Sequence, residues 1–207
     1  MRLRIVFSKS GSLRYTGHLD LHVGWERTVR RAGLPLSYTQ GFHPGPKIQI
    51  ASALPLGFIG QCEIVDLWLD SDTLDPHTAG MLQSSAPPGL GIIRLEVVDE
   101  HEPALQTRVA SAEYEINLLD PLEASDLSER VTKFLQADIL PRQRRGKQYD
   151  LRPLVEVLQL QSLAGASGLL MRLSARNGAT GRPEEVLDCL GIPFENTRIE
   201  RTRLILI

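Results

Sequence analysis

The strongest constraint on this chain is an order of hydrophobic patterns that occurs twice. RLRIVFS, from Arg2 to Ser8, alternates polar and apolar residues with the period of a half-buried strand. After the loop SKSGSLRYTG, the stretch HLDLHVGWERTVRRAG sets Leu21, Trp25, Val29 and Ala32 at spacings of 4, 4 and 3, one apolar stripe along a helix. Thr16 is the expected cap and Gly33 the left-handed stop, with Pro35 just beyond. Gly24 inside this helix costs roughly 1 kcal/mol against alanine, which predicts a close packing approach there. LPLSYTQ is β-prone, and KIQIASAL and CEIVDLWLD read as strands. Residues 73–85 suit a helix ended by Pro87, Pro88 and Gly89, and GIIRLEVVD reads as another strand. This β-α-β-β-α-β order is the ferredoxin-like split unit, with LPLSYTQ as an extra edge piece. HEPALQTRVAS reads as a linker. Beyond it the order recurs in SAEYEINLL, EASDLSERVTKFLQA, LVEVLQLQ, GLLMRLSA, RPEEVLDCLG and TRIERTRLILI. No residue identity connects the halves, so the repeat is one of element order. The expectation is an α+β protein of two tandem ferredoxin-like units with antiparallel sheets, residues 1–105 carrying the basic cluster and residues 106–207 forming the second domain.

Several classes drop out. At 42% hydrophobic and 23% charged residues, the chain has the apolar area a core needs, which excludes global disorder. There is no apolar run long enough for a spanning helix, so no membrane partner is expected. MRLRIVFSKSG is too short and too soon polar for a secretory signal, which leaves the cytoplasm. Cys62 and Cys189 stand far apart and cannot by themselves build a zinc site or an iron–sulfur cluster, so no cofactor or metal is expected.

A net charge of −2 conceals a division along the chain. Residues 1–60 hold eight basic groups (Arg2, Arg4, Lys9, Arg14, Arg27, Arg30, Arg31 and Lys47) against Asp20 and Glu26. Residues 61–105 hold nine acidic groups against Arg94 alone. Either the first third presents a field for phosphates, or the two stretches lie side by side and cancel. Lys9, Gly11, Arg14 and Gly17 occupy a strand-to-helix loop, where unpaired N–H groups can seat an anion, although no Walker sequence is present. His18 and His22 stand one helical turn apart, but Leu19 replaces the Glu of the metalloprotease motif and no third ligand follows at a fixed spacing. Arg27, Arg30 and Arg31 share a face separate from the apolar stripe. In GFHPGPKIQIASALPLG, Gly41, Pro44, Gly45 and Pro46 stiffen a loop carrying Phe42, His43 and Lys47. Tyr38 and Phe42 could offer stacking faces to bases, or Phe42 could anchor the loop in the core.

These residues carry a resemblance. K-x-G-x-x-R-Y from Lys9 to Tyr15, H-L-D from His18 to Asp20, R-R-A-G-L-P from Arg30 to Pro35, G-F-x-P from Gly41, P-K at Pro46–Lys47 and L-P-L-G from Leu54 resemble the bacterial radical-SAM-linked domain of unknown function. KQYDLRPLV, from Lys147, resembles that family's second recurring motif. The family occurs beside, or fused to, cobalamin-binding radical SAM proteins, and the resemblance implies such a protein as partner. This chain lacks the three-Cys cluster motif and is therefore not itself that enzyme. Positions matching a shared site are Lys9, Arg14, Tyr15, His18, Asp20, Arg30, Arg31, Gly41, Pro44, Lys47 and Glu63, with Asp150, Leu151, Arg152 and Pro153 in the second motif.

A second basic run, PRQRRGKQYDLRP, packs Arg142, Arg144, Arg145, Lys147 and Arg152 into a hairpin-like loop that could lie along a phosphate backbone, or remain merely solvated. The leading expectation is a non-catalytic adaptor that binds RNA or another anionic ligand and presents it to the radical SAM partner. In that reading Arg27, Arg30, Arg31 and Lys47 carry charge, Arg14 and His18 fix one phosphate, and Tyr38 or Phe42 stacks. One alternative is a metal-independent RNA-cleaving enzyme of the CRISPR-processing type, with His18 as base and Lys47 or Arg14 on the developing charge. The other is a pure protein–protein subunit.

Overall fold

The alternating run at the start forms β1 (Arg2–Lys9) in the computed structural model, which describes residues 1–120, 122–163 and 166–207. A 3-10 turn (Gly11–Tyr15) leads into helix α1 (His18–Arg31), followed by β2 (Ile48–Ile50), β3 (Ile59–Trp68), α2 (Thr78–Ser85) and β4 (Leu90–Val98). The short α3 (Leu105–Arg108) comes next, and β5 (Val109–Leu118), α4 (Ala124–Gln136), β6 (Pro141–Arg144) and β7 (Lys147–Asp150) follow. The chain continues through β8 (Val155–Leu163), β9 (Ala166–Arg176), β10 (Ala179–Thr180), α5 (Pro183–Cys189) and β11 (Thr197–Leu206). It divides into two compact units, Met1–Val109 and Ala110–Ile207. Among the described residues no helix is long and apolar enough to cross a membrane.

In the first unit the strands lie in the order β4-β1-β3-β2, with β1 antiparallel to both neighbours and β2 antiparallel to β3. Alternate side chains of β1 behave as strand geometry requires. Leu3, Ile5 and Phe7 are buried with Leu21, Trp25 and Val29 of α1, and the Phe7 and Trp25 rings meet edge to face at 5.0 Å. Burial of each aliphatic member of that stripe contributes about 1.5–3 kcal/mol. Gly33 has φ +70 and ends α1 in the left-handed conformation a side chain resists.

Some local expectations are corrected. The N-cap of α1 is Gly17, without a side-chain cap bond, rather than Thr16. A Cβ placed on Gly24 would meet nothing within 4 Å, so no close approach explains that glycine. LPLSYTQ makes only isolated bridges, Leu36 to Leu69 and Tyr38 to Pro46.

The polar residues of β1 hold a charge network. Arg2 and Arg4 are buried, and both donate to the carboxylate of Asp66, which is wholly excluded from solvent. Arg2 also donates to the carbonyls of Glu102 (2.7 Å) and Pro103 (3.1 Å). The Glu102 carboxylate accepts from Arg4 at 3.0 Å and from Arg108. Burial alone would raise the Glu102 carboxyl, but Arg4 and Arg108 outweigh it and hold it below its usual value. HEPALQTRVAS is consequently not a free linker. Its residues 101–109 belong to the first unit, where Leu105 is buried and donates its N–H to Gln49 Oε1 at 3.0 Å, and Ala110 and Ser111 already belong to β5 in the second unit.

In the second unit β5 pairs with β9 and β11, β9 pairs on its other side with β8, and β10 adds a short bridge to β9. Its α4 buries Leu127, Val131 and Phe134, a spacing that turns one face of the helix inward.

Candidate nucleic-acid interface

Three exposed cations of the first unit gather on the second half of α1, while Lys47 and Arg94 are exposed elsewhere in it. Arg27, Arg30 and Arg31 are exposed there, opposite the buried Leu21, Trp25 and Val29. Arg30 and Arg31 lie in the last helical turn, where their charge also complements the helix dipole. Arg31 borders an open groove of about 590 Å³ between α1 and α2, lined also by His77, Gly80, Met81 and Ser84. No sequence pattern singled out His77 or Ser84, because the groove exists only once the two helices pack.

A hairpin loop stands beside this helix. Lys47 N–H donates to Ser37 O at 2.8 Å, Thr39 N–H to Gly45 O at 2.8 Å, and Gly45 N–H to Thr39 Oγ1 at 3.0 Å. The Tyr38 hydroxyl reaches Glu26 Oε1 of α1 at 3.5 Å, which sets the loop against the arginine-bearing half of the helix. Phe42 at the tip is 102% exposed, so its ring does not anchor the loop in the core. His43 is exposed as well. Lys47 is exposed at the start of β2, close enough to Glu100 to help lower that carboxyl, an effect owed first to the N-terminal amine.

The strand-to-helix loop has a different character. Lys9 is buried and its Nζ donates to Thr16 O at 2.7 Å, which ties the end of β1 to the approach to α1. Glu63 is buried too, and its side chain folds over Gly60, the residue paired with Lys9 across the strands. The Arg14 guanidinium stacks on the Tyr15 ring at 4.8 Å and donates to the Tyr15 hydroxyl at 2.7 Å. Tyr15 itself is exposed, as is Asp20 in the first turn of α1. His18 opens α1 as an exposed residue, and partial desolvation, then the neighbouring charges of His22 and Lys9, push its pKa below 6.5. The open anion seat expected from Lys9 is thus a closed lysine-to-carbonyl contact. Among the described residues no group of three or more His, Cys, Asp or Glu could hold a metal ion, so His18 and His22 gain no third ligand.

The second basic run is the β6–β7 hairpin, closed by Arg145 and Gly146 with φ of +50 and +79. Much of its charge is neutralised within the second unit. Arg142 pairs with Asp188 at 2.7 Å and donates to Cys189 Sγ at 2.6 Å. Arg144 forks onto Glu185 at 3.1 and 2.6 Å and stacks on Tyr149 at 4.9 Å. Burial acts to lower both guanidinium pKa values, yet Cys189 and Asp188 around Arg142, and Glu185 beside Arg144, raise them overall. Arg152 donates to Val155 O (3.3 Å) and Leu135 O (3.4 Å). Of the cations in this run, only Arg145 and Lys147 are exposed, both at the turn. The acidic helix start at Glu184 and Glu185 was the visible signal for this neutralisation.

Residues 2–183 match the family described as "Uncharacterized protein conserved in bacteria (DUF2344)". The chain belongs to this family. DUF2344 proteins occur next to, or fused with, radical SAM cobalamin proteins. The matched span runs from β1 to the first residue of α5 and so includes both basic runs. No curated protein matches the chain. Among solved structures, a crystal structure of a Cbf5-Nop10-Gar1 complex aligns with a TM-score of 0.51 and 11% identity, covering 98% of this chain and 48% of the other. An archaeal box H/ACA sRNP Nop10-Cbf5 complex aligns at 0.48 with the same identity and coverages. This DUF2344 chain therefore spans about half the length of those solved chains. The acetolactate synthase small subunit of Thermotoga maritima aligns at 0.27 and 11% identity, covering 100% of this chain and 95% of its own. At these identities the first likeness is one of fold alone.

Proposed function

We propose that this DUF2344 chain is an accessory partner of a cobalamin-binding radical SAM protein and binds RNA, or another polyanionic ligand, through the arginine half of α1 without catalysing chemistry itself. One observation carries the reading. Of the cations in the first sixty residues, Arg2, Arg4 and Lys9 are buried and engaged, whereas Arg27, Arg30 and Arg31 stand together in solvent on one helix end. Phosphate contacts from such a face supply affinity and position rather than sequence choice. The family's association with radical SAM proteins supports the choice of partner. We also infer that each unit is a ferredoxin-like split βαββαβ. The fourth-first-third-second strand order in each supports that inference.

The test is binding of labelled RNA over a salt series. Affinity is expected to fall steeply with salt. Arg30→Ala with Arg31→Ala should reduce the logarithmic slope by about 0.7 for each single-strand phosphate that the variant no longer neutralises. The RNA should emerge uncut after incubation without metal. Absence of binding at low salt, or an unchanged slope in the double variant, overturns the proposal.

A further inference from the structure

Phe42 does no packing in this molecule, yet the loop that carries it is tightly held. The stem from Ser37 to Lys47 is closed by three hydrogen bonds of 2.8, 2.8 and 3.0 Å and by the Tyr38–Pro46 bridge. At the tip, Gly41 takes φ +137, a value that side chains rarely adopt, and Pro44 and Pro46 restrict the return. A ring at 102% exposure on such a mount exposes apolar surface to water with no return in core stability.

Resting on the reading of α1 as a phosphate-binding face, we propose that the ligand is single-stranded RNA, with an unpaired base stacked on Phe42 while Arg27 and Arg30 take the neighbouring phosphates. The contact of Tyr38 with Glu26 sets the hairpin beside these arginines. Arg30 lies one turn beyond Glu26, about 6 Å along the helix axis, and the tip lies within roughly 10 Å of Thr39 by chain length. An aromatic face on a loop tied to the cation-bearing helix offers the two components of single-strand recognition, stacking and backbone neutralisation. Duplex RNA cannot use the ring, since its base faces are closed by stacking and it is read through shape and 2′-hydroxyl contacts. A protein partner for Phe42 is the competing reading, and the experiment separates the two.

The experiment measures anisotropy of a labelled oligouridylate and of an RNA duplex, with wild type, Phe42→Ala, Phe42→Trp and the Arg27→Ala/Arg30→Ala pair, which should lower the salt slope. Phe42 touches no core, so its variants keep the fold. Phe42→Ala should weaken oligouridylate binding at least fivefold without changing the salt slope, because stacking releases no counterions. Phe42→Trp should restore it, and the duplex should bind more weakly and ignore both changes. Wild-type affinity in Phe42→Ala, or equal affinity for duplex and single strand, overturns the inference while leaving the arginine face standing. Binding of neither polymer removes both. If Phe42→Ala spares RNA but abolishes co-purification with the radical SAM partner, the ring is a protein anchor and the inference fails.

Discussion

Asp66→Asn is expected to be among the most damaging single changes in the first unit. Its carboxylate is fully excluded from solvent and accepts from Arg2 Nε, Arg4 Nε and Arg4 Nη2, each at 2.9 Å, with Arg2 Nη2 at 2.7 Å. Arg2 is 1% exposed and Arg4 8%, so neither guanidinium can turn to water when the negative charge is removed. Arg4 would retain Glu102, but Arg2 would keep only neutral partners: the Glu102 and Pro103 carbonyls, the Trp68 ring face and at most the single amide oxygen that the change leaves at position 66. Removing one partner of a buried pair costs about 3–5 kcal/mol, and one carboxylate serving two buried cations belongs at the upper end. A domain is stable by only about 5–15 kcal/mol, so this is a large share. Urea unfolding followed by tryptophan fluorescence should show a lower midpoint at an unchanged slope. Substituting Arg2→Met, Arg4→Leu and Asp66→Leu together should recover much of the deficit, since no buried charge is then unpaired. Recovery should stop short of wild type because the Glu102 and Pro103 carbonyls lose their donor. A destabilisation below about 1 kcal/mol for Asp66→Asn would refute the reasoning, because only a hydrated pair is worth so little.

Two further outcomes follow from local geometry. The His18 pKa is depressed in the folded state, so the unfolded chain binds the proton more readily; the stability linked to this group is complete above about pH 6.5 and falls as pH drops through the lower folded value. His18→Gln should flatten the decline in urea midpoint just below pH 6.5, which is above the range where Glu102, with its lowered carboxyl, exchanges its proton. An identical decline in the variant would assign the effect elsewhere. Gly89 has φ +92, and a Cβ there would come within 2.4 Å of Ser10 O, while Ser10 N–H donates to Gly89 O at 2.8 Å. Gly89→Ala should therefore cost about 2 kcal/mol or more, and a thermal midpoint equal to wild type would contradict the clash.

The elements were largely legible because hydrophobic period is local. RLRIVFS, CEIVDLWLD and the Leu21–Trp25–Val29 stripe each display within one segment the face that they bury. Capping was less legible, since Gly17 rather than Thr16 ends at the cap position according to how the 3-10 turn closes. The candidate site was legible only in part. Arg27, Arg30 and Arg31 could be separated from the apolar stripe by helical spacing alone. Lys9 could not be recognised as buried, because its carbonyl acceptor at Thr16 depends on the turn between them.

By itself the sequence determined the order of the longer strands and helices, the apolar faces that form the core, and the family to which the chain belongs. It also determined that cations are dense in the first sixty residues. That Arg2, Arg4 and Lys9 are withdrawn from solvent was decided by tertiary structure. Asp66 lies 64 residues from Arg2 along the chain, and only the antiparallel register of β1 against β3 brings the two together. The same holds in the second unit, where Glu185 reaches Arg144 across 41 residues. Charge is a property of composition, but its neutralisation depends on distances that only the folded chain defines.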